Sequence, residues 1–310
     1  MCGIAGLIHR GKSGKVGQEM TSMLQSLWHR GPDSAGFGLY GAAQDNHLVM
    51  RLKLAETEEL NRGYGVEEEI EHRDEQVRER LHELGAKLIE EDSPTVYARR
   101  YVIDYNGDMN KFAEWIQDDH VEILSIGHSL ELIKDLGSAG DVADKYGLQG
   151  FSGTHGIGHT RMATESDVDI SSAHPYWAFP YNDVSVVHNG QLTNYWKFRR
   201  QLEHVGHRFH SNCDSELIAV FIADRMERGD ELEEAMNRSI YELDGVFTYI
   251  VATSHSLGMA KDTMAAKPLV LYEDDQFVAM ASEEVAIRSV FPHEIDTIDP
   301  YEEEVRVWHA

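Results

Sequence analysis

The sequence predicts a single α/β domain. Apolar, β-rich runs of strand length alternate with segments whose apolar residues recur at helical spacing. No repeat, low-complexity linker or clear boundary divides the 310 residues. That length is about twice the common domain size of about 150 residues, so the chain can bury a sizeable core.

The elements follow in order. Cys2 to His9 reads as an apolar strand. No basic segment precedes it, and its apolar stretch of about seven residues is too short for a secretory signal. Gly11 to Gly17 marks a turn, and Gln18 to Trp28 then places Met20, Met23, Leu24 and Leu27 on one helical face. After the turn His29-Arg30-Gly31-Pro32-Asp33, alternation in Ala35 to Tyr40 predicts a second strand. From Glu56 to Asp92, 14 acidic residues stand against five basic ones, with Val66, Ile70, Val77, Leu81, Leu84, Leu88 and Ile89 at near-heptad spacing. This predicts an acidic, solvated helical insertion with one apolar stripe, within one domain spanning 1–310. Thr95 to Ile103 reads as a strand, Met109 to Asp118 as a helix and Val121 to Ser129 as a strand. Gly150 to Asn194 is dense in Gly, His, Thr and Asn, the composition of functional loops on strand ends. Tyr195 to His204 and Ser215 to Arg228 read as helices. Val246 to Thr253, Leu269 to Tyr272, Phe277 to Ser282 and Val305 to His309 complete the strands.

Charge excludes whole classes of partner. The 28 basic and 54 acidic residues give −26, and adding the charges of all 17 histidines would still leave −9. A general nucleic-acid or anionic-membrane surface needs clustered positive charge, so neither is expected. The two cysteines, Cys2 and Cys213, cannot build a disulfide framework and point to a reducing cytoplasm. No apolar run approaches the roughly 18 residues of a membrane span. No GxxxxGK[ST] loop occurs, and no GxGxxG opens a helix after a strand.

Cys2 carries the most chemistry. Removal of Met1 would leave a thiol and a free α-amino group on one residue. With a reference pKa of about 7.7–8.0, that amine can take the thiol proton near neutral pH, so one residue would supply nucleophile and base. Glycines at 3 and 6 permit close approach of a substrate. Much later come Gly158-His159-Thr160-Arg161-Met162-Ala163-Thr164, Ala173-His174-Pro175, Val187-His188-Asn189-Gly190 and Cys213-Asp214-Ser215-Glu216.

In this order, behind an N-terminal cysteine and with His-Arg-Gly-Pro-Asp at 29–33, these motifs resemble the class II glutamine amidotransferases, whose glutaminase domain belongs to the N-terminal nucleophile hydrolases. The resemblance runs from Cys2 to Lys267-Pro268-Leu269 and Ala281-Ser282-Glu283. It implies a four-layer α/β/β/α sandwich of two antiparallel sheets, and hydrolysis of glutamine to glutamate and ammonia through a γ-glutamyl thioester on Cys2. Arg161 matches the arginine that grips the substrate α-carboxylate, a task suited to a planar guanidinium fork. Thr164 would add a hydroxyl to that grip, and Asp214 would receive the α-ammonium. Asn189 and Gly190 match the oxyanion hole. Taken singly, these residues have plainer roles: Arg161 in a structural ion pair, Asn189-Gly190 in a type I′ hairpin turn, Asp214 as a helix N-cap.

The chain departs from the pattern at Glu165, where some relatives carry a histidine, and at Cys213, read as structural. The histidines at 155, 159, 174 and 188, and those at 204, 207 and 210, lack any HExxH or CxxC context, so no metal is expected. Backbone-bonded loop histidines are the expectation instead. The loop after His29 and the loop from Tyr176 to Asp183 read as lids over glutamine. With no cofactor of its own and no acceptor domain before Ala310, the chain is expected to act as a glutaminase subunit feeding ammonia to a separate synthase. Tyr97 to Asp144 is similar to free-standing amidotransferase subunits of glutamate synthase-like complexes, including N-methylglutamate synthase, whose partners carry FMN and iron–sulfur clusters. An N-terminal cysteine acylase acting on another amide, and a non-catalytic regulatory subunit, are the alternatives.

Overall fold

Two facing antiparallel sheets, each covered by helices on its outer side, organise most of the core. The computed structural model describes residues 2–43, 47–63, 65–162, 170–181, 183–291 and 293–310. Numbered along the chain, the strands are β1 (Gly3–His9), β2 (Ser34–Tyr40), β3 (Leu48–Lys53), β4 (Lys87–Asp92), β5 (Ala98–Asp104), β6 (Glu122–Gly127), β7 (Leu130–Leu136), β8 (His155–Arg161), β9 (Tyr176–Trp177), β10 (Ser185–Leu192), β11 (Gly245–Ala252), β12 (Ser256–Lys261), β13 (Val270–Glu273), β14 (Phe277–Ala281) and β15 (Val305–His309). The helices are α1 (Val16–Ser26), α2 (Thr57–Leu60), α3 (Val66–Glu83), α4 (Met109–Ile116), α5 (Ala139–Lys145), α6 (Tyr195–His204), α7 (Asp214–Glu227), α8 (Leu232–Glu242) and α9 (Glu284–Arg288). One sheet has the order β13-β14-β1-β8-β2-β7, the second β15-β12-β11-β10-β9, and a third β4-β5-β3-β6.

Strand periodicity explains the layering. In β1, Ala5 and Leu7 join the core under α1, α5 and α9, whereas Ile4 and Ile8 face the second sheet. The strand is buried on both faces, hence its unbroken apolar run. On β8, Gly156 and Gly158 lie under Val16, Met20 and Leu24 of α1, while Ile157 faces the sandwich interior. Across the second sheet, Val186, Tyr249, Val251 and Ala260 pack against Leu217, Phe221, Ala235 and Met236 of α7 and α8. The result is helices, sheet, sheet, helices. Tyr40 pins the two sheets together: its hydroxyl contacts Ser185 Oγ at 2.8 Å and donates to the Ala252 carbonyl, also at 2.8 Å.

The third sheet was not foreseen, and the segment 56–92 is not one helix. Its helix α3 ends at a Schellman turn, where Gly85 takes φ +73° and Ala86 N–H bonds Leu81 O at 2.9 Å. The chain then runs into edge strand β4. Val66, Ile70, Val77 and Leu81 are buried as the stripe requires. Leu88 is partly buried, whereas Ile89 is exposed, because both belong to the strand. The interior of this region is ionic as well as apolar. Glu131 receives Arg51 at 2.5 Å and Arg100 at 2.9 Å. Asp74 takes Arg99 at 3.0 Å and the Tyr101 hydroxyl. Among the described residues, no helix is long and apolar enough to cross a membrane.

Candidate active site

Cys2 stands at the head of β1, where β1 runs between β14 and β8. Its carbonyl oxygen accepts from Arg30 Nε and from Asn189 Nδ2, both at 3.1 Å. Its Sγ lies 3.4 Å from the backbone nitrogen of Met162. Arg30 is braced in turn by Glu283 at 2.5 Å, and Glu283 also meets His29 at 3.0 Å. The turn at 29–33 approaches β8 so closely that a Cβ on Gly31 would lie 2.5 Å from backbone atoms of Thr160 and Arg161. The loop after His29 is therefore a brace packed beneath the thiol, not a lid.

Strand alternation along β10 shares out the next residues. Asn189 points to Cys2 and to Ser282 Oγ, 3.4 Å away, while His188 faces the start of α7. Asn189 and Gly190 are not a hairpin turn: they pair within the ladder with Thr248 and Phe247 of β11. Gly190 takes φ +145°, and a Cβ there would meet Val246 O at 2.1 Å.

Asp214 is the first residue of α7, but its side chain does not cap the helix; Cys213 holds the N-cap position. Asp214 Oδ2 accepts from the Leu192 backbone N–H at 2.9 Å, and Oδ1 lies 3.5 Å from His188 Nδ1. Burial pushes its carboxyl upward, yet the His188 contact and the Leu192 bond outweigh burial and hold it below the ordinary aspartate range. The adjoining loop is fixed by Glu216, which accepts from His210 N, Ser211 N and Ser211 Oγ at 2.5–2.8 Å. Burial, followed by the Asp214 charge, raises the Cys213 thiol.

Three imidazoles lie beside this clamp. His159 stacks on His174 at 4.1 Å. His174 Nε2 and His188 Nδ1 share Ser215 Oγ at 2.7 and 2.9 Å. Burial, then the nearby Arg161 charge, lowers His159 to about 3, and burial with the neighbouring His159 takes His174 well below its ordinary value. At neutral pH both rings are uncharged. Of the histidines expected to bond backbone, His155 does so, to Thr253 O at 2.7 Å. His174 and His188 instead meet at a serine hydroxyl, a convergence no local spacing reveals. Among the described residues, no three His, Cys, Asp or Glu side chains are grouped as metal ligands.

Cys2, Arg161, Asn189, Gly190 and Asp214 all line one cleft of ≈ 1210 Å³, with His159, His174, His188, Tyr176 and Cys213 among the other walls. Thr164 and Glu165 lie outside the described residues. Of the segment read as a second lid, Tyr176 lines the cleft and both described ends are anchored. Tyr176 and Trp177 pair with β10, and buried Asp183 clamps the backbone nitrogens of His128, Ser129 and Leu130 at 2.7–3.0 Å. Sequence reasoning missed Arg30 and Ser282 as supports, although both fall in quoted motifs.

Comparison with known proteins points one way. A family model described as a glutamine amidotransferase domain matches residues 159–289. A protein of Methanothermobacter thermautotrophicus named "Putative glutamine amidotransferase" is 40% identical, across 99% of this chain and 99% of its own length. "Glutamine amidotransferase-like protein GlxB" of Rhizobium meliloti is 33% identical, across 99% of this chain and 95% of its own. Among solved structures, glutamine phosphoribosylpyrophosphate amidotransferase from B. subtilis aligns with a TM-score of 0.61 at 17% identity. The alignment covers 99% of this chain and 47% of that one, and at such identity the likeness is one of fold.

Proposed function

Since the chain belongs to the glutamine amidotransferases and has the N-terminal nucleophile hydrolase fold of class II, we propose that it hydrolyses glutamine to glutamate and ammonia through a thioester on Cys2. The observation that carries this is the convergence of Cys2, Arg161, Asn189, Gly190 and Asp214, from distant parts of the sequence, on one cleft. With Met1 removed, the Cys2 amine takes the thiol proton and Sγ attacks the glutamine amide carbon. Asn189 and the Gly190 N–H receive the oxygen as it becomes negative; the nitrogen takes the proton and leaves as ammonia. Water then cleaves the thioester, which releases glutamate and restores the thiol. Arg161 and Asp214 bind the carboxylate and ammonium of the substrate's zwitterionic end, with Thr164 assisting at the carboxylate.

The test is a glutaminase assay on the purified chain, with and without a candidate synthase. Cys2→Ala should reduce hydrolysis to background, and hydrolysis left intact would refute the mechanism. Intact-mass analysis of the active preparation should show Met1 absent.

For the acceptor, the proposal is a separate glutamate synthase-like subunit bearing FMN and iron–sulfur clusters, in the cytoplasm. Two relatives share this span along nearly their whole length, which favours a partner on another chain. Co-purification with a flavin-containing subunit supports this assignment. A chain that stays alone with full activity counts against it.

A further inference from the structure

The contacts around Asp214 fix a direction of hydrogen bonding that assigns a role to His188. A carboxylate only accepts, and His188 Nδ1 faces both Asp214 Oδ1 at 3.5 Å and Ser215 Oγ at 2.9 Å. A lone pair on Nδ1 would face the carboxylate; a proton there hydrogen-bonds Ser215 Oγ and presents positive charge to Asp214 Oδ1. Ser215 Oγ has one proton, and with His188 donating to it, that proton goes to His174 Nε2 at 2.7 Å. The neutral His174 then carries its own proton on Nδ1. This set of tautomers runs from Asp214 through His188 and Ser215 to His174, and places the two of these ring nitrogens that have no hydrogen-bond partner among the described residues, His188 Nε2 and His174 Nδ1, at its outer positions. His188 and His174 are both buried, His188 to 4% exposure and His174 to 9%, so neither ring is readily turned by water.

We propose that His188 is a positioning residue: its Nδ1–H holds the Asp214 carboxylate in the orientation that receives the substrate's α-ammonium group, and Ser215 with His174 locks the ring in the tautomer this requires. The inference deepens the glutaminase reading and rests on it, since Asp214 takes the ammonium only in that reading. Leu192 N–H fixes the other carboxylate oxygen, and Oδ1 is left to His188 and to the Cys213 thiol at 3.7 Å, of which only His188 can carry a positive or strongly polar N–H to it. Outer hydrogen bonds that set ring orientation act this way around many sites.

The test is calorimetric binding of L-glutamine and of glutaramate, the same molecule without its α-amino group, to a Cys2→Ala background. In that reference protein glutamine should bind more tightly than glutaramate. His188→Gln, whose amide stands where Nε2 was, should weaken glutamine about tenfold or more, the loss expected of one bond to a charged group, and leave glutaramate nearly unchanged. His188→Asn, whose amide stands near the Nδ1 position, should restore most of the glutamine affinity. Equal loss of both ligands, or identical behaviour of the Asn and Gln variants, would overturn the proposal. Ser215→Ala retains the imidazole and removes only the lock; if His188→Gln does not fold, a glutamine-selective loss in Ser215→Ala supports the assignment and an equal loss refutes it. Failure of the reference protein to prefer glutamine would instead overturn the glutaminase reading itself, before His188 is touched.

Discussion

The Cys2 cleft and the third sheet bury polar groups in opposite ways. Beside the cleft, the polar interior is made of imidazoles: two share one serine hydroxyl, and burial keeps His159 and His174 neutral. In and around the third sheet it is made of ions: Arg51 and Arg100 on Glu131, Arg99 on Asp74, and Lys53 on Glu122 at 2.7 Å. A buried ion is tolerable only while its partner stays, because desolvation costs several kcal/mol per charge. Neutral rings avoid that cost, and on the proposed roles Arg161 and Asp214 are the groups that meet a zwitterionic ligand. The third sheet is thus built for permanent pairing; on the proposed function, the cleft is built for a guest.

The largest effect should come from breaking a permanent pair. Glu131→Ala leaves two guanidiniums facing each other across a buried space and should cost about 3–5 kcal/mol, read as a lower urea midpoint. Turnover per folded molecule should hold. On its proposed role as an oxyanion donor, Asn189→Ala should do the reverse: glutaminase turnover falls by about 10²–10³, with little change in melting temperature. A large stability loss in Asn189→Ala would erase the contrast.

Acid should separate the two regions by a smaller, graded effect. Burial lowers His155 to about 4 and His159 to about 3. Both folded values lie below the ordinary 6.5, so the unfolded chain takes up protons first. Stability is complete above about 6.5 and is lost as pH falls toward the folded values, by about 1.4 kcal/mol per pH unit for each ring. For Glu131 and Glu122, burial pushes upward, but Arg51 and Arg100 on one and Lys134 and Lys53 on the other hold the carboxyls below their usual range. Their contribution persists above the ordinary glutamate value of about 4.3 and is lost only below it. Between pH 6.5 and 4.5, hydrogen exchange corrected for intrinsic rates should show protection falling in β8 while it holds in β3 and β5. Parallel loss in both would remove the distinction.

Legibility in the sequence followed the same division. β1 and α1 were readable because an apolar run and a methionine stripe state their burial directly. β8 was not: its outward positions are Gly156 and Gly158, present so that α1 can pack on them, and its inward ones include two histidines. The strand looks like a loop because each residue answers to a neighbour far away in sequence. The positions of Cys2, Arg161, Asn189, Gly190 and Asp214 were readable through ordered motifs. Their supports were not, since Arg30 to the Cys2 carbonyl and Ser215 between two imidazoles exist only once the sheets face each other. β4 was hidden because its charged residues continue the acidic composition of α3.

Gly31 has a consequence beyond packing. Arg30 holds the Cys2 carbonyl, and its neighbour Gly31 rests directly on the backbone of Thr160 and Arg161. The residues next to Cys2 and Arg161, Gly3 and Thr160, pair directly in the β1–β8 ladder, so the thiol and the base of the guanidinium are mounted on one short block of main chain that the 29–33 turn braces. On the proposed roles, such a mounting is a ruler: it measures the distance from an amide carbon to an α-carboxylate, and a substrate shorter by one methylene, such as asparagine, falls short of the mark.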